Sequence, residues 1–497
     1  MSAQIGIIVA FGLYLLVMLF IGFYFSNKSN DLSDYVLGGR GLGKWVTSLS
    51  AQASDMSGWL LMGLPGLAYA SGFGEAFWLG AGLALGTYLN WKFIAQKLRV
   101  YTQMANDSLT ISDFFENRFG DETHLLRIIS SIFVVIFFTL YVSSGFIAGG
   151  KLFNTVFGIQ YEYAILIGGG VLVLYTFLGG FFAVSWSDMI QGIVMLFAAI
   201  AVPTYALFYM GGISAASERI TSISPTLLSI TKNISGDNLS AIAIISSAAW
   251  GLGYFGMPHI LVRFMGIDSA ENIKDARKIA MVWVIISLAS AMFIGVIGRA
   301  YTAGTPLAGG DSERIFMIMV QSLFVTFLAG IMLSAILAAI MSTADSQLLV
   351  AASTISEDFY KAIFKKDAGQ KELVWSGRVA VIIIAIVAYS ISLNPDSSVF
   401  KVVSFAWAGL GATFGPIVIM ALFWRRTTAK GAMAGVLAGG ITVLVWKNLS
   451  SLGGIFTLYE IVPAFILSMA AIIIVSLIDS EPPQEITDLF DKVQQEV

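Results

Sequence analysis

Thirteen stretches of apolar residues follow one another along this chain, and each approaches or exceeds the roughly 20 residues a helix needs to cross a hydrocarbon layer. They are 4–26, 45–71, 76–96, 126–150, 161–183, 187–211, 239–262, 279–302, 322–356, 374–394, 400–424, 431–447 and 456–478, numbered below as spans 1 to 13. The runs are continuous rather than alternating, which excludes a β-barrel. Charged residues make up only 12% of the chain, where a soluble chain carries about 25%. That excludes a soluble enzyme, a nucleic-acid-binding protein and a disordered chain, and leaves an all-α polytopic membrane protein in a lipid bilayer. The chain has no cysteine, hence no disulfide, thiolate metal site or cysteine nucleophile. His124 and His259 are too few and too far apart for a metal cluster. Span 1 follows Met-Ser-Ala-Gln, with no basic region before it and no small-residue cleavage pattern after it, so it reads as a span rather than a signal peptide.

Lysine and arginine in the connections set the orientation. One set of alternate loops holds Lys28, Arg40, Lys44, Lys92, Lys97, Arg99, Arg118 and Arg127, then Arg263, Lys274, Arg277 and Lys278. It continues with Lys361, Lys365, Lys366, Lys371 and Arg378, and closes with Arg425, Arg426, Lys430 and Lys492. The other set holds seven of the 28 basic residues: Lys151, Arg219, Lys232, Arg299, Arg314, Lys401 and Lys447. The bias predicts a cell-membrane protein with its N-terminus outside and its C-terminus in the cytoplasm. Residues 1–480 read as one transmembrane domain and 481–497 as an acidic cytoplasmic tail. The longest outer connections, 212–238 and 303–321, are too short for a domain of their own.

Two spans carry sequences that break a helix. Span 2 has Ser54-Asp55-Met56-Ser57-Gly58-Trp59, then Gly63 and Pro65-Gly66; span 7 has Trp250-Gly251-Leu252-Gly253-Tyr254-Phe255-Gly256-Met257-Pro258. A broken helix in a membrane is tolerated where it lines a cavity or is buried in protein. Spans 2 and 7 are five apart, so repeats starting at each would cross the membrane in opposite senses, the pattern of transporters built from inverted repeats. The plain alternative is that glycine serves close helix packing and proline only a kink.

Asp55 is the sharpest single residue. A carboxylate at mid-membrane costs about 2.5–3.5 kcal/mol on insertion scales, so something must offset it. A salt bridge is one solution, with Arg40 the nearest basic residue in sequence. A cation is another, and the hydroxyls of Ser54 and Ser57 beside carbonyls suit a hard ion such as sodium. Span 9 carries a second polar run, Ala338-Ala339-Ile340-Met341-Ser342-Thr343-Ala344-Asp345-Ser346-Gln347. Helical spacing puts Ser342, Asp345 and Ser346 on one face, with Ala339 a turn earlier. Asp188 stands at the start of span 6, where a helix dipole alone would favour an acid.

These runs resemble the sodium:solute symporter family over essentially the whole chain, and its proline-transporting members most closely. The resemblance rests on Gly38-Gly39-Arg40, on Ala53 to Gly66, on Trp250 to His259 and on Ser334 to Thr343. Tyr175 to Phe181 leading into Ser185-Trp186-Ser187-Asp188, and Ala421 to Ala432, fit the family's two signatures. The resemblance implies an inverted five-plus-five repeat (LeuT-like) core formed by spans 2–6 and 7–11, with spans 1, 12 and 13 peripheral, so that 45–262 holds the first repeat and the start of the second. It implies inward co-transport of L-proline with sodium. A sodium site would comprise the carbonyls of Ala53, Met56 and Ala339 and the hydroxyls of Ser342 and Thr343, with Asp55 supporting its field. Substrate positions would be Ser57, Gly58, Trp59, Tyr141, Trp250, Tyr254 and Pro258. Asp345 stands where relatives that carry proline often have a small hydroxyl residue. Asp188, Ser342, Asp345 and Ser346 match the positions of a second cation or proton site.

Other functions fit less well. A related symporter would carry pantothenate or another small carboxylate. A membrane solute sensor would need an output domain, a channel a continuous polar path, and an intramembrane enzyme a paired nucleophile and base. Lithium or protons could replace sodium. No nucleic-acid partner and no obligatory protein partner is implied.

Overall fold

The computed structural model describes residues 2–26, 36–176, 180–307, 309–365 and 367–497. Among these residues the regular elements are helices, and β-pairing is limited to two isolated bridges, Leu42 with Ile267 and Lys232 with Asn238. Among the described residues nine helices are long and apolar enough to cross a membrane, and a tenth span is the pair Ala241–Gly256 and Pro258–Met265, bent by 45°. The other three expected spans are present in interrupted or shorter form. Span 2 is two helices, Lys44–Asp55 and Gly63–Ser71. Span 3 is Phe73–Leu89, prolonged through a π-helical turn, Asn90–Ile94, into Ala95–Met104. Span 5 is the 16-residue helix Tyr161–Thr176.

The boundary between spans 5 and 6 differs from expectation. Gly180 is extended, with φ −102° and ψ −174°, and the next helix runs Phe181–Tyr209. Residues 181–183 therefore belong to span 6, and Asp188 lies two turns inside its helix rather than at its start. Residues 177–179 of the first signature, and Lys28 and Lys366, lie outside the described residues.

Spans 9 and 11 are the most buried of the long helices, and spans 6 and 8 pack against the broken span 2. Ser48 Oγ of span 2 donates at 2.8 Å to the carbonyl of Ala276 in the helix Ile273–Tyr301, which contains span 8, and Trp283 Nε1 of the same helix donates to the Gly192 carbonyl of span 6 at 3.0 Å. Span 9, Thr326–Ser353, is buried over most of its length, Met332 to Leu349 being continuously so. Spans 1 and 13 instead present Phe20, Phe23, Ile474 and Ile478 outward, as lipid-facing helices do. Among the last residues, Gln484–Glu496 is not a free tail but an amphipathic helix packed on the protein. Its Phe490 and Val493 are buried, Phe490 stands edge-on to Tyr101, and the Arg118 guanidinium lies 5.0 Å from the Phe490 ring centre. Asp491 pairs with Arg425 at 3.0 Å, and Lys97 hydrogen-bonds Gln494.

Candidate functional site

The site is built on the two breaks. In span 2 the helix ends at Asp55, and Ser57 takes a positive φ of 22°. The Ser57 N–H, which in a continuous helix would close on the Ala53 carbonyl, donates instead to Thr343 Oγ1 at 3.0 Å. Seven residues of turn follow before Gly63 restarts the helix. In span 7 the chain tightens into a 3₁₀ helix over Ala249–Gly256, passes through extended Met257, and restarts with Pro258 at the first helical position. Glycine is obligatory where this segment meets span 3. A Cβ on Gly86 would lie 2.2 Å from the Gly251 carbonyl oxygen, and one on Gly251 would lie 2.2 Å from that of Gly82.

Between the breaks lies a narrow cavity lined by Asp55, Met56, Trp59, Leu83, Tyr141, Trp250, Tyr254, Val403 and Trp407. Trp59 and Trp250 stack at 5.5 Å between ring centres with 26° between planes. Tyr254 Oη donates to Asp55 Oδ2 at 2.6 Å, and Tyr141 Oη donates to the Asp55 backbone carbonyl at 3.3 Å. The cavity thus brings together Trp59, Tyr141, Trp250 and Tyr254 among the expected substrate positions. Ser57, Gly58 and Pro258 do not line it. Ser57 Oγ accepts the Trp59 N–H at 3.2 Å, and a Cβ on Gly58 would meet Ala148 at 3.0 Å. Pro258 borders a separate, more apolar gap with Val134, Val262 and Leu349. Asp55 has no salt bridge with Arg40, whose guanidinium pairs with Asp107 at 2.8 Å and reaches the Met265 carbonyl.

Leu83, Val403 and Trp407 line this cavity without having been anticipated from sequence, and Asn90 supports it from outside the lining. Trp407 of span 11 donates its indole N–H to the Trp250 carbonyl at 2.8 Å, and Gly253 leaves the room for it, since a Cβ there would lie 2.0 Å from Trp407 Nε1. Asn90, in the π-helical turn, donates to the Tyr254 carbonyl at 3.0 Å. Both satisfy carbonyls that the tight turn of span 7 leaves without the partners of an α-helix. The asparagine inside an apolar span was the available signal.

Beside the cavity, four of the five expected sodium ligands are joined by hydrogen bonds. Ser342 Oγ donates to the Ala53 carbonyl at 2.8 Å and to that of Ala339 at 3.3 Å, and Thr343 Oγ1 lies 3.5 Å from the Ala53 carbonyl. The fifth, the Met56 carbonyl, accepts the Leu60 N–H at 3.1 Å within the turn. All five residues are buried. Neutral carbonyl and hydroxyl oxygens suit a hard monovalent cation, and no cluster of three His, Cys, Asp or Glu side chains able to hold a metal occurs among the described residues.

The expected second site gathers around an arginine. Arg263, counted among the loop cations by its position in sequence, is fully buried. It donates to Asp188 Oδ2 at 3.1 Å, Ser346 Oγ at 2.5 Å, Ser50 Oγ at 3.1 Å and the His259 carbonyl at 2.8 Å. Ser346 Oγ lies 3.4 Å from Asp345 Oδ1 and 3.5 Å from Asp188 Oδ2, so Asp188, Ser346 and Asp345 are neighbours, whereas Ser342 turns to Ala53. Asp188 Oδ1 and Asp345 Oδ2 are buried without a hydrogen-bond partner.

The sodium:solute symporter family model matches residues 35–439. A sodium/proline symporter of Escherichia coli is 47% identical over 486 residues, covering 97% of this chain and 95% of that protein. A high-affinity proline transporter of Bacillus subtilis is 47% identical, covering 96% of this chain and 99% of that one. Among solved structures, a sodium-coupled sialic acid symporter in a substrate-bound, outward-open state superposes with a TM-score of 0.80 at 20% identity, covering 96% of this chain and 99% of that one. At that identity the likeness shows the shared fold, a LeuT-like helical core.

Proposed function

The chain belongs to the sodium:solute symporter family, and from that premise we propose that it is a secondary active transporter carrying L-proline inward with sodium by alternating access. One observation carries the reading: a single broken turn, residues 53–59, serves both the oxygen cluster and the aromatic cavity. Ala53 gives its carbonyl to the hydroxyls of Ser342 and Thr343, while Asp55, Met56 and Trp59 line the cavity. An ion held by Ala53, Met56, Ala339, Ser342 and Thr343 fixes the wall against which the substrate packs. Binding of either ligand then favours the other, which is what coupling requires. The aromatic walls suit a pyrrolidine ring, whose cationic nitrogen an aromatic face attracts. Ser57, Gly58 and Pro258 shape the breaks from behind rather than facing the substrate. The similarity to proline transporters supports this substrate over pantothenate, and their transport activity argues against a sensor.

The finer features belong to the same proposal. Lithium or protons can substitute for sodium at the oxygen cluster. Asp188, Asp345 and Ser346 hold a second positive charge, supplied by Arg263 in this arrangement and by a cation or proton once Arg263 moves away. The protein sits in the cell membrane with its N-terminus outside and the helix Gln484–Glu496 on the cytoplasmic face, as the distribution of lysine and arginine supports. Residues 1–480 act as one transporting unit without a required protein partner.

Uptake of labelled L-proline into liposomes carrying the purified protein tests the proposal. An inward sodium gradient should drive accumulation that collapses when the gradient is removed. Equal uptake with and without sodium, or uptake of pantothenate in preference to proline, would overturn it.

A further inference from the structure

At one membrane face two cations converge on a single exposed ring. Lys92 Nζ of span 3 and the Arg277 guanidinium, near the start of the helix that contains span 8, each lie 5.5 Å from the centre of the Tyr88 ring. Lys92 Nζ also lies 5.0 Å from the Phe93 ring centre. Among the described residues neither cation has an ion pair or a hydrogen bond. Asp275, the acid nearest Arg277 in sequence, is already taken: its Oδ2 pairs with Lys44 at 3.0 Å and its Oδ1 with Lys278 at 2.9 Å. Lys92 and Arg277 both belong to the set of basic residues that the loop bias assigns to the cytoplasmic side. The setting is the edge of the apolar layer. Tyr88 and Phe93 are exposed, as are Leu85 of span 3 and Ile285, about two turns beyond Arg277. Spans 3 and 8 pack together and run in opposite senses, so Leu85 and Ile285 both lie on the hydrocarbon side of the cations. The π-helical turn Asn90–Ile94 buries Asn90 and Trp91 and leaves Lys92 and Phe93 outside. A single lysine beside an interfacial ring commonly just reaches for water. That accounts for one cation at a ring but not two, since like charges brought together repel unless an anion joins them.

We propose that Lys92, Arg277 and Tyr88 form a binding site for the headgroup phosphate of an anionic phospholipid, whose acyl chains run along Leu85 and Ile285. The site is separate from the aromatic cavity and from the oxygen cluster. A phosphate diester in a headgroup of net negative charge neutralises both cations at once, and charge-assisted hydrogen bonds from Lys92 and Arg277 hold it. The Tyr88 hydroxyl, which makes no hydrogen bond among the described residues, adds a third donor. A zwitterionic lipid brings its own ammonium to the same place, where two cations already stand. A soluble phosphate ester lacks the chains that pack on Leu85 and Ile285. The occupant is therefore a lipid of the adjoining leaflet, selected by its charge.

The chain has no cysteine, so one introduced at Leu85 carries a fluorescent label at that place alone. Full-length Leu85→Cys, labelled with bimane, is reconstituted in phosphatidylcholine vesicles. Part of the lipid is then replaced by lipid with brominated chains, which quenches the label on contact. Brominated phosphatidylglycerol should half-quench it at a mole fraction at least about fivefold below that of brominated phosphatidylcholine. With Lys92→Gln and Arg277→Gln added, the two lipids should quench within about twofold of one another. Lys92→Arg with Arg277→Lys keeps both charges and should keep the preference, which separates loss of charge from any disturbance of the fold. Ile474→Cys is the reference position, exposed near the end of span 13 where Lys430 is already paired with Asp479. There the preference should not exceed about twofold. Equal quenching by the two lipids at Leu85 would overturn the proposal without any change to the cations. So would the same preference at Ile474, which would mean a diffuse attraction to the whole face. An undiminished preference in the neutral double variant would overturn the assignment to Lys92 and Arg277. Displacement of phosphatidylglycerol by millimolar glycerol phosphate would overturn the lipid as occupant and make the site one for a soluble phosphate.

Discussion

Arg263 offers the most demanding check on how this interior is held together. Its side chain is fully buried and makes hydrogen bonds to Asp188, Ser346, Ser50 and the His259 carbonyl, while its guanidinium lies 5.0 Å from the Phe181 ring centre. Replacing it by methionine keeps much of the volume and removes the charge. Breaking a buried ion pair from one side costs about 3–5 kcal/mol, because the surviving charge is left in a poor solvent. Here the survivors are Asp188 and, one hydroxyl away, Asp345. Arg263→Met should therefore fall at the upper end of that range, about 4–5 kcal/mol. Replacing both partners, Arg263→Met with Asp188→Leu, should leave a variant more stable than Arg263→Met alone, so that the two single losses do not add in a double-mutant cycle. Thermal unfolding of the purified variants in detergent, in sodium-free buffer, measures both. Added sodium should restore part of the stability of Arg263→Met and little of the double variant, since only the first keeps both carboxylates beside Ser346. The reasoning fails if the single and double variants are equally unstable, or if their losses simply add.

Removing the hydroxyls of Ser342 and Thr343 together should raise the sodium concentration needed for half-maximal uptake much more than it changes proline recognition at saturating sodium, because each is an oxygen ligand that water does not readily replace in a buried site. An unchanged sodium dependence of uptake would refute that assignment. Trp59→Ala should weaken proline binding by about 1–3 kcal/mol of lost apolar contact while leaving sodium binding without proline nearly intact, as equilibrium binding would show. Trp407→Phe leaves the Trp250 carbonyl without its donor, and should cost about 1–3 kcal/mol in stability and loosen the cavity, seen as a raised Km for proline with a smaller change in maximal rate. Asp345→Asn should change the charge moved per proline, or the pH profile of uptake, measured as current and tracer flux on the same proteoliposomes.

The breaks were legible because glycine, proline and a carboxylate stand out in an apolar run. Asp55 and the flanking glycines announced span 2, and the chain from Trp250 to Pro258 announced span 7. The oxygen cluster was expected from the family resemblance and not from spacing, which placed Ser342 on a face with Asp345 and Ser346 and left open that such hydroxyls only bond back along their own helix. What escaped was whatever depends on direction. Arg263 is five residues beyond Pro258, near the expected end of its span, and reads as a loop cation; only the bend at Met257 swings it inward to Asp188. Trp407 is one aromatic residue in an apolar span, and nothing local shows that Gly253 leaves room for it. Asp55 could be placed at mid-membrane from sequence, but not turned toward Tyr254 rather than toward an ion. The start of span 6 was misplaced by several residues because Gly180 and the aromatic pair after it read as a continuation of span 5.

The docked helix Gln484–Glu496 ties an early stretch of chain to a late one, since Lys97 meets Gln494 across 397 positions and Asp491 holds Arg425 just after span 11. During synthesis, residues 95–119 must wait while ten spans are inserted before their partner emerges. Tyr101 and Arg118 thus spend that interval without the cover of Phe490, a buried arginine and an aromatic side chain both open to chaperones and to mispairing. Closure of this face is a late event in biogenesis, and a fusion or stall that withholds residues 484–496 would yield a chain already threaded through the bilayer but not yet sealed at its base.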